Sequence, residues 1–257
     1  MKFRKYIVVN DFHLPFVDEI ALDLFKEFLK EEKPNRLIIA GDLIDCQEIS
    51  TFNKIPKGGN ELQKNFDQAK NLLAEFRNLI GRNAKIDFIE GNHDFRIKKY
   101  LIMRAPELVG LRALRIEKLL GLEKLKINFY PVKEEANKFQ DNYIRIENIY
   151  VGHFDTARKG SGMTARSLLA DKGVSVIQAH NHRMALITQR QMDGKLLVAV
   201  ENGCLCSLNP TYIANPDWQL GWSVIFHNIN NHRIYIYPIL LGRNYEFFWG
   251  NTEYSIQ

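Results

Sequence analysis

The run Tyr6-Ile7-Val8-Val9-Asn10-Asp11-Phe12-His13 sets the architecture of this chain. An apolar, β-branched stretch gives way at once to polar residues, as in a buried strand that delivers side chains at its C-terminal end. The pattern recurs. Leu37-Ile38-Ile39-Ala40 runs into Gly41-Asp42, and Ile86-Asp87-Phe88-Ile89 runs into Glu90-Gly91-Asn92. Between these strands lie two helical patterns. Ile20, Leu24, Phe25, Phe28 and Leu29 share one face of a helix over about 17–32, which Pro34 stops. Leu62, Phe66, Ala69, Leu73, Phe76 and Ile80 mark a longer helix closed by Gly81. Strand–helix alternation of this kind implies parallel strands with right-handed crossovers.

The second half has another texture. Residues 143–151, 174–179, 185–191, 195–200, 223–228 and 233–239 read as strands, and one helix around 164–172 interrupts them. Turns at Met192-Asp193-Gly194 and at 228–232 suggest hairpins. The expected fold class is α/β, with two mixed β-sheets packed as a sandwich and flanked by helices. Residues 95–142 are less regular, with Arg96, Lys98, Lys99, Arg104, Arg112, Arg115 and Lys118 among leucines. They read either as amphipathic surface helices or as a cap whose cations face an anionic substrate.

A chain of 257 residues with 46% hydrophobic and 25% charged residues is long and apolar enough to bury its own core. Its net charge of +5 is a mild bias towards anionic partners, well short of a nucleic-acid-coating protein. Three cysteines, Cys46, Cys204 and Cys206, are too few for a disulfide framework and point to a reducing compartment. No apolar run is long enough to span a membrane, and the basic start lacks an h-region. The expected setting is cytoplasmic, with no membrane partner.

The chemistry-bearing residues follow the strands: Asp11-Phe12-His13, Gly41-Asp42-Leu43-Ile44-Asp45, Gly91-Asn92-His93-Asp94, Gly152-His153 and His180-Asn181-His182. Of the seven histidines, His13, His93, His153, His180 and His182 lie in these segments. Each segment alone has an ordinary reading as a cap or turn. Together, at the same edge of a parallel core, they would gather imidazoles, carboxylates and one amide. Such a donor set suits first-row divalent metals better than calcium or magnesium.

The five segments resemble the signature of the calcineurin-like metallophosphoesterases, and the stretches 158–166 and 201–210 look similar to a phage- and prophage-associated bacterial subgroup of them. The resemblance covers about residues 6–183, and Ala179 stands where the last motif usually has glycine. It implies one metallophosphoesterase domain over 1–257, with a helical cap-like insert at about 95–142. It also implies two divalent metal ions, manganese foremost, with iron, zinc, nickel or cobalt as alternatives. Asp11, His13 and His182 would hold the first ion, Asn92, His153 and His180 the second, and Asp42 both. His93 would serve the leaving-group oxygen, with Asp45 orienting its ring as the other member of a catalytic pair. A bridging hydroxide would attack the phosphorus.

The expected function is therefore a metal-dependent phosphodiesterase acting on a nucleotide or nucleic acid. Asp45 is not followed by Arg-Gly, so the protein-phosphatase subgroup signature is missing. Arg96 and Arg158 are the expected substrate contacts. Arg158-Lys159-Gly160-Ser161-Gly162 reads either as a phosphate cradle at a helix start or as a plain loop capped by Ser161 or Thr164. The alternatives are a phosphomonoesterase or lipid-linked pyrophosphate hydrolase, using the leucine-rich stretch 111–125 as an apolar groove. Last comes a non-catalytic interaction module of the retromer type. The aromatic run Tyr245-Glu246-Phe247-Phe248-Trp249 reads as docking on its own domain or as a subunit contact, so a monomer or homodimer is expected.

Overall fold

The structure, a computed structural model, describes residues 3–50, 60–132, 139–210 and 216–256. Residues 133–138 of the insert lie outside the described residues.

The first half alternates as its hydrophobic pattern requires. Strand β1 (Phe3–Val9) leads into helix α1 (Glu19–Glu32), β2 (Arg36–Ile39), α2 (Glu61–Ile80) and β3 (Lys85–Ile89). Asp18 caps α1 by accepting from the Ala21 N–H at 3.0 Å, and Lys33 ends it in the left-handed region. Leu24, Phe25, Phe28 and Leu29 are buried as expected, whereas Ile20 is exposed at the first turn.

The insert holds short helices α3 (Arg96–Arg104) and α4 (Ile116–Leu119) and then a strand, β4 (Ile127–Tyr130). β4 pairs in parallel with β3, so this part of the insert extends the sheet.

The second half is built from β5 (Asn142–Ile146), β6 (Ile149–His153), α5 (Met163–Lys172), β7 (Ser175–Gln178), β8 (Met184–Arg190), β9 (Leu196–Asn202), β10 (Gly221–Asn228) and β11 (Arg233–Leu240). A last hairpin joins β12 (Phe247–Trp249) to β13 (Thr252–Tyr254). The stretch read as one strand over 143–151 is a hairpin, turned at Glu147 with φ 52°. No glycine marks that turn, so alternation alone ran through it.

Two mixed sheets form the sandwich. One has six strands in the order β11-β10-β1-β2-β3-β4, the other five in the order β5-β6-β7-β9-β8. Val8, Ile38 and Ile89 from the first sheet meet Val151, Ile177 and Val200 from the second in the shared core. Helices α1 and α2 cover the outer face of the first sheet around Phe25, Phe28, Phe76 and Trp222. Leu168 and Leu169 of α5 cover the second. The aromatic C-terminal run docks on its own domain. Phe247 packs 5.7 Å from Phe28 and 5.1 Å from Trp222, while Phe248 stays exposed.

Among the described residues, no helix is long and apolar enough to cross a membrane.

Candidate metal centre

Strands β1, β2 and β3 run parallel, as do β6 and β7, so their C-terminal ends reach one edge of the sandwich. All five motif segments leave from that edge. The structure brings Asp11, His13, Asp42, Asn92, His153, His180 and His182 together there.

Asp42 lies at the middle of the set. Its Oδ2 is 3.6 Å from His13 Nε2 and 3.4 Å from His153 Nε2. On one side, His13 Nε2 is 3.1 Å from His182 Nε2, and Asp11 Oδ1 is 3.6 Å from His182 Nε2. On the other, Asn92 Oδ1 is 2.7 Å from His153 Nε2 and 2.9 Å from His180 Nδ1.

The outward nitrogens of three rings are held. His13 Nδ1 meets Asp45 Oδ2 at 3.1 Å, His153 Nδ1 meets the Ala40 carbonyl at 3.1 Å, and His182 Nδ1 meets Cys206 Sγ at 3.6 Å. Such outer partners fix the tautomer and leave Nε2 free as a ligand.

The backbone is bent to achieve this. Asp11, His13, Asp42, His180 and His182 all have positive φ, between 48° and 82°. Strain in non-glycine residues costs about 1–3 kcal/mol each and gathers at functional sites. The same bending separates His180 and His182. Both sit in a loop after β7, and their left-handed conformations send the rings to opposite halves of the cluster.

Gly41 and Gly91 allow the close approach. A Cβ on Gly91 would lie 2.2 Å from Asp42 Oδ1, and one on Gly41 would lie 2.5 Å from His153 Nδ1. Ala179 is buried at an ordinary φ and donates to the Gly152 carbonyl at 3.1 Å, so alanine fits there.

The residues fit divalent ions. Asp11 Oδ2 is held by Asn10 Nδ2 at 2.6 Å and by the His180 N–H at 2.9 Å. Its Oδ1 is buried without a hydrogen-bond partner and faces the imidazoles of His13 and His182. Burial opposes ionisation of Asp11, yet His182, His153 and His13 hold it well below the usual carboxylate range. Burial likewise opposes a charged His182, but Asp11 pulls its pKa up to about 9. A positive charge is favoured at this spot. His180, by contrast, is pushed down to about 4 by burial and by His153, which leaves it neutral and free to ligate.

His93 stands beside the cluster, its Nε2 4.0 Å from Asp42 Oδ2. Its Nδ1 is 3.0 Å from Asp45 Oδ2, and its Nε2 is 3.2 Å from a guanidinium nitrogen of Arg96. Arg96 also donates to the Asp45 carbonyl at 2.8 Å and to Asp45 Oδ1 at 3.0 Å. Arg104, Arg112 and Arg115 are exposed and show no hydrogen bond or ion pair to the described residues of the cluster. Arg115 lines a separate cavity of about 300 Å³ with Ile97, Lys98, Leu101 and Phe129. Asp94 pins the loop by accepting from the Gly91 N–H at 2.9 Å and the Ile44 N–H at 3.1 Å.

Arg158 is exposed on the loop before α5. The helix start beside it is not free to cradle a phosphate, because the buried Glu201 carboxylate already accepts from the N–H groups of Gly162, Thr164 and Ala165 at 2.8–3.0 Å. Neither Ser161 nor Thr164 caps the helix. The cap comes from β9, out of reach of any local pattern. Glu201→Ala should cost on the order of 3 kcal/mol by stranding buried donors. Thermal unfolding of Glu201→Ala and Glu201→Gln checks this, with the glutamine less damaging.

Sequence reading missed Asn10, Asn202 and Cys206. Asn202 Nδ2 donates to Asn10 Oδ1 at 2.6 Å, and Asn10 in turn holds Asp11. The position of Asn10 between a strand and Asp11 was the available signal. Asn202 and Cys206 lie in the stretch 201–210 that resembles the phage-associated subgroup, but nothing local in it points to Asn10 or His182.

The family model described as calcineurin-like phosphoesterase matches residues 4–199. Over 255 residues the chain is 28% identical to the Gene 54 protein of Mycobacterium phage D29, covering 93% of this chain and 95% of that protein. The Gene 54 protein of Mycobacterium phage L5 is 25% identical over 251 residues, with the same coverage. These relatives support the phage-associated subgroup. Vacuolar Protein Sorting 29 from Cryptosporidium parvum aligns in structure with a TM-score of 0.50 at 13% identity, covering 99% of each chain. That likeness shows the fold alone.

Proposed function

The chain belongs to the calcineurin-like phosphoesterase family, and from that premise we propose that it is a phosphodiesterase with a dinuclear metal centre, acting on a nucleotide or nucleic acid. The observation that carries this reading is the placement of Asp42 Oδ2 within 3.6 Å of His13 Nε2 and 3.4 Å of His153 Nε2. One carboxylate is thereby shared by two imidazole groups. Asp11, His13 and His182 would hold one ion, Asn92, His153 and His180 the other, and Asp42 both. The N/O donor set suits first-row divalent ions, and manganese is the one the family resemblance favours. When bound, the pair supplies Lewis acidity and a water-derived nucleophile at neutral pH.

The chain's own groups do the rest. His93 would meet the leaving-group oxygen, with Asp45 fixing its tautomer by accepting from Nδ1 at 3.0 Å. Arg96 sets a guanidinium beside the same ring, where an anionic substrate would draw it. Arg158, exposed nearby on the chain after His153, is a candidate contact for a longer anion.

Two experiments test this. Manganese-loaded protein assayed on mono- and diesters of one leaving group should turn over the diester faster. Hydrolysis of the monoester alone would reverse the assignment, and no turnover with metal bound would favour an interaction module. Asn92→Ala should lower manganese from about two ions per chain to about one, because a lost amide oxygen leaves only two imidazoles beside Asp42. Elemental analysis reads this directly.

One observation favours a second reading. The 300 Å³ cavity has an apolar wall of Ile97, Leu101, Val109 and Leu114 that could take the chain of a lipid-linked pyrophosphate, although Glu90, Asp94 and Glu117 share the lining with Lys98 and Arg115. Including such a substrate in the panel separates the two.

A further inference from the structure

A second cluster of ligand-type side chains lies at the other end of the sandwich. Glu147 sits in the β5–β6 turn, His227 near the end of β10, and His232 in the β10–β11 turn. In the sheet register, Asn142 of β5 pairs with His153, so the turn at Glu147 is at the edge away from the catalytic cluster. His227 pairs with Arg4, at the start of β1, while Asp11 follows the end of that strand. Seven residues of extended chain put the two clusters about 20 Å apart.

Both imidazoles converge on one oxygen. Glu147 Oε1 is 3.1 Å from His227 Nε2 and 3.2 Å from His232 Nδ1, and all three ligand atoms lie within 4.8 Å of one another. His227 is 7% exposed, and its Nε2 is buried without a hydrogen-bond partner despite the nearby carboxylate. Its other nitrogen, Nδ1, is 3.0 Å from the Tyr6 hydroxyl. A histidine that gives Nδ1–H to an outer oxygen presents the Nε2 lone pair, the arrangement usual for a metal ligand. With Nδ1–H given to the Tyr6 oxygen, the Nε2 lone pair and the Glu147 carboxylate face each other, and a cation between them satisfies both.

From this geometry we propose that Glu147, His227 and His232 form a separate binding site for a divalent transition ion, zinc foremost, that ties the second sheet to the first. Two imidazoles and one carboxylate are a zinc ligand set, and water would complete a tetrahedron. With bonds of about 2.0–2.1 Å, the edges of such a tetrahedron are about 3.3 Å. The two separations at Oε1 are close to that. The third edge closes by a small movement of His232, which is exposed at a hairpin tip.

The test uses the full chain loaded with excess zinc, passed over a desalting column and analysed for metal. His232→Gly is the first variant, because φ at this position is 57° and glycine keeps the turn unstrained. Glu147→Gln, which keeps the side-chain shape, is the second. Both should retain about one zinc fewer per chain than the parent, while manganese-supported ester hydrolysis is unchanged. Zinc should also raise the Tm of the parent more than that of either variant. Equal zinc content in all three proteins would overturn the proposal and leave the cluster as two histidine–carboxylate ion pairs.

Discussion

His93→Ala should lower kcat by about 10²- to 10⁴-fold and leave both metal ions in place, the usual worth of a positioned proton donor. The cluster is complete without His93. Its Nε2 is 4.0 Å from Asp42 Oδ2, farther than the corresponding atoms of His13 and His153. Its Nδ1 faces Asp45 and therefore carries a proton, so Nε2 is the atom left to act. In this structure Nε2 faces Arg96, a group that can only donate. Proton delivery then requires the guanidinium to swing to the substrate anion and Nε2 to take up a proton from water, so that the imidazolium held by Asp45 can give it to the leaving-group oxygen. The loss in His93→Ala should shrink for a nitrophenyl ester, whose departure needs little protonation. It should be full for an alkyl or ribose ester. A uniform loss across leaving groups, or loss of a metal ion, would assign His93 to ligation or oxyanion stabilisation instead.

The parts of the fold legible in the sequence are those where local pattern and tertiary role coincide. β1, β2 and β3 are short apolar runs buried on both faces, and each ends abruptly in a polar motif. Hairpins with Gly194 or an Asn-rich turn announce themselves. Three features did not. The β5–β6 turn uses Glu147 in a left-handed conformation, and no glycine signals it. β4 is four residues long and becomes a strand only because β3 offers it a free edge. The cap on α5 comes from Glu201, 36 to 39 residues away in sequence. The site shows the same division. Its donors are legible because each follows a strand, whereas the partners that orient them are supplied by long-range packing. Asn202 reaches Asp11 through Asn10, and Cys206 reaches His182, only because β9 and the loop after it pack beside β1 and the start of α1. At 158–162 the loop is as read, but Glu201 takes both the place of a phosphate and that of a Ser161 or Thr164 cap, which nothing in the local sequence signals.

In the proposed mechanism Asp45 would serve both the metal ligand His13 and the proton donor His93, and Asp45→Asn should damage both. The carboxylate is nearly buried, and its Oδ2 lies 3.1 Å from His13 Nδ1 and 3.0 Å from His93 Nδ1. Its Oδ1 takes Arg96 at 3.0 Å. Burial alone would favour the neutral acid, but hydrogen bonds from His13 and His93 hold Asp45 far below the usual carboxylate range. It therefore stays ionised across the pH range in which the enzyme would work. An asparagine has one acceptor oxygen to offer three donors. If that oxygen keeps the two Nδ1–H groups, Arg96 meets an NH₂ and is released. If it keeps Arg96, the NH₂ faces both rings, which must flip tautomer or turn away. In the second arrangement His13 Nε2 would carry a proton and could no longer ligate. Loss of such an outer partner typically costs about 10–100-fold in metal affinity. The kcat at saturating manganese should fall by about 10²–10³-fold as well, because His93 loses its orientation. Manganese titrations followed by activity separate the two effects, the first as a shifted midpoint and the second as a lowered plateau. A lowered plateau with an unshifted midpoint would mean that Asp45 serves His93 alone. A shifted midpoint with a normal plateau would mean that it serves His13 alone, and that His93 needs no carboxylate behind it.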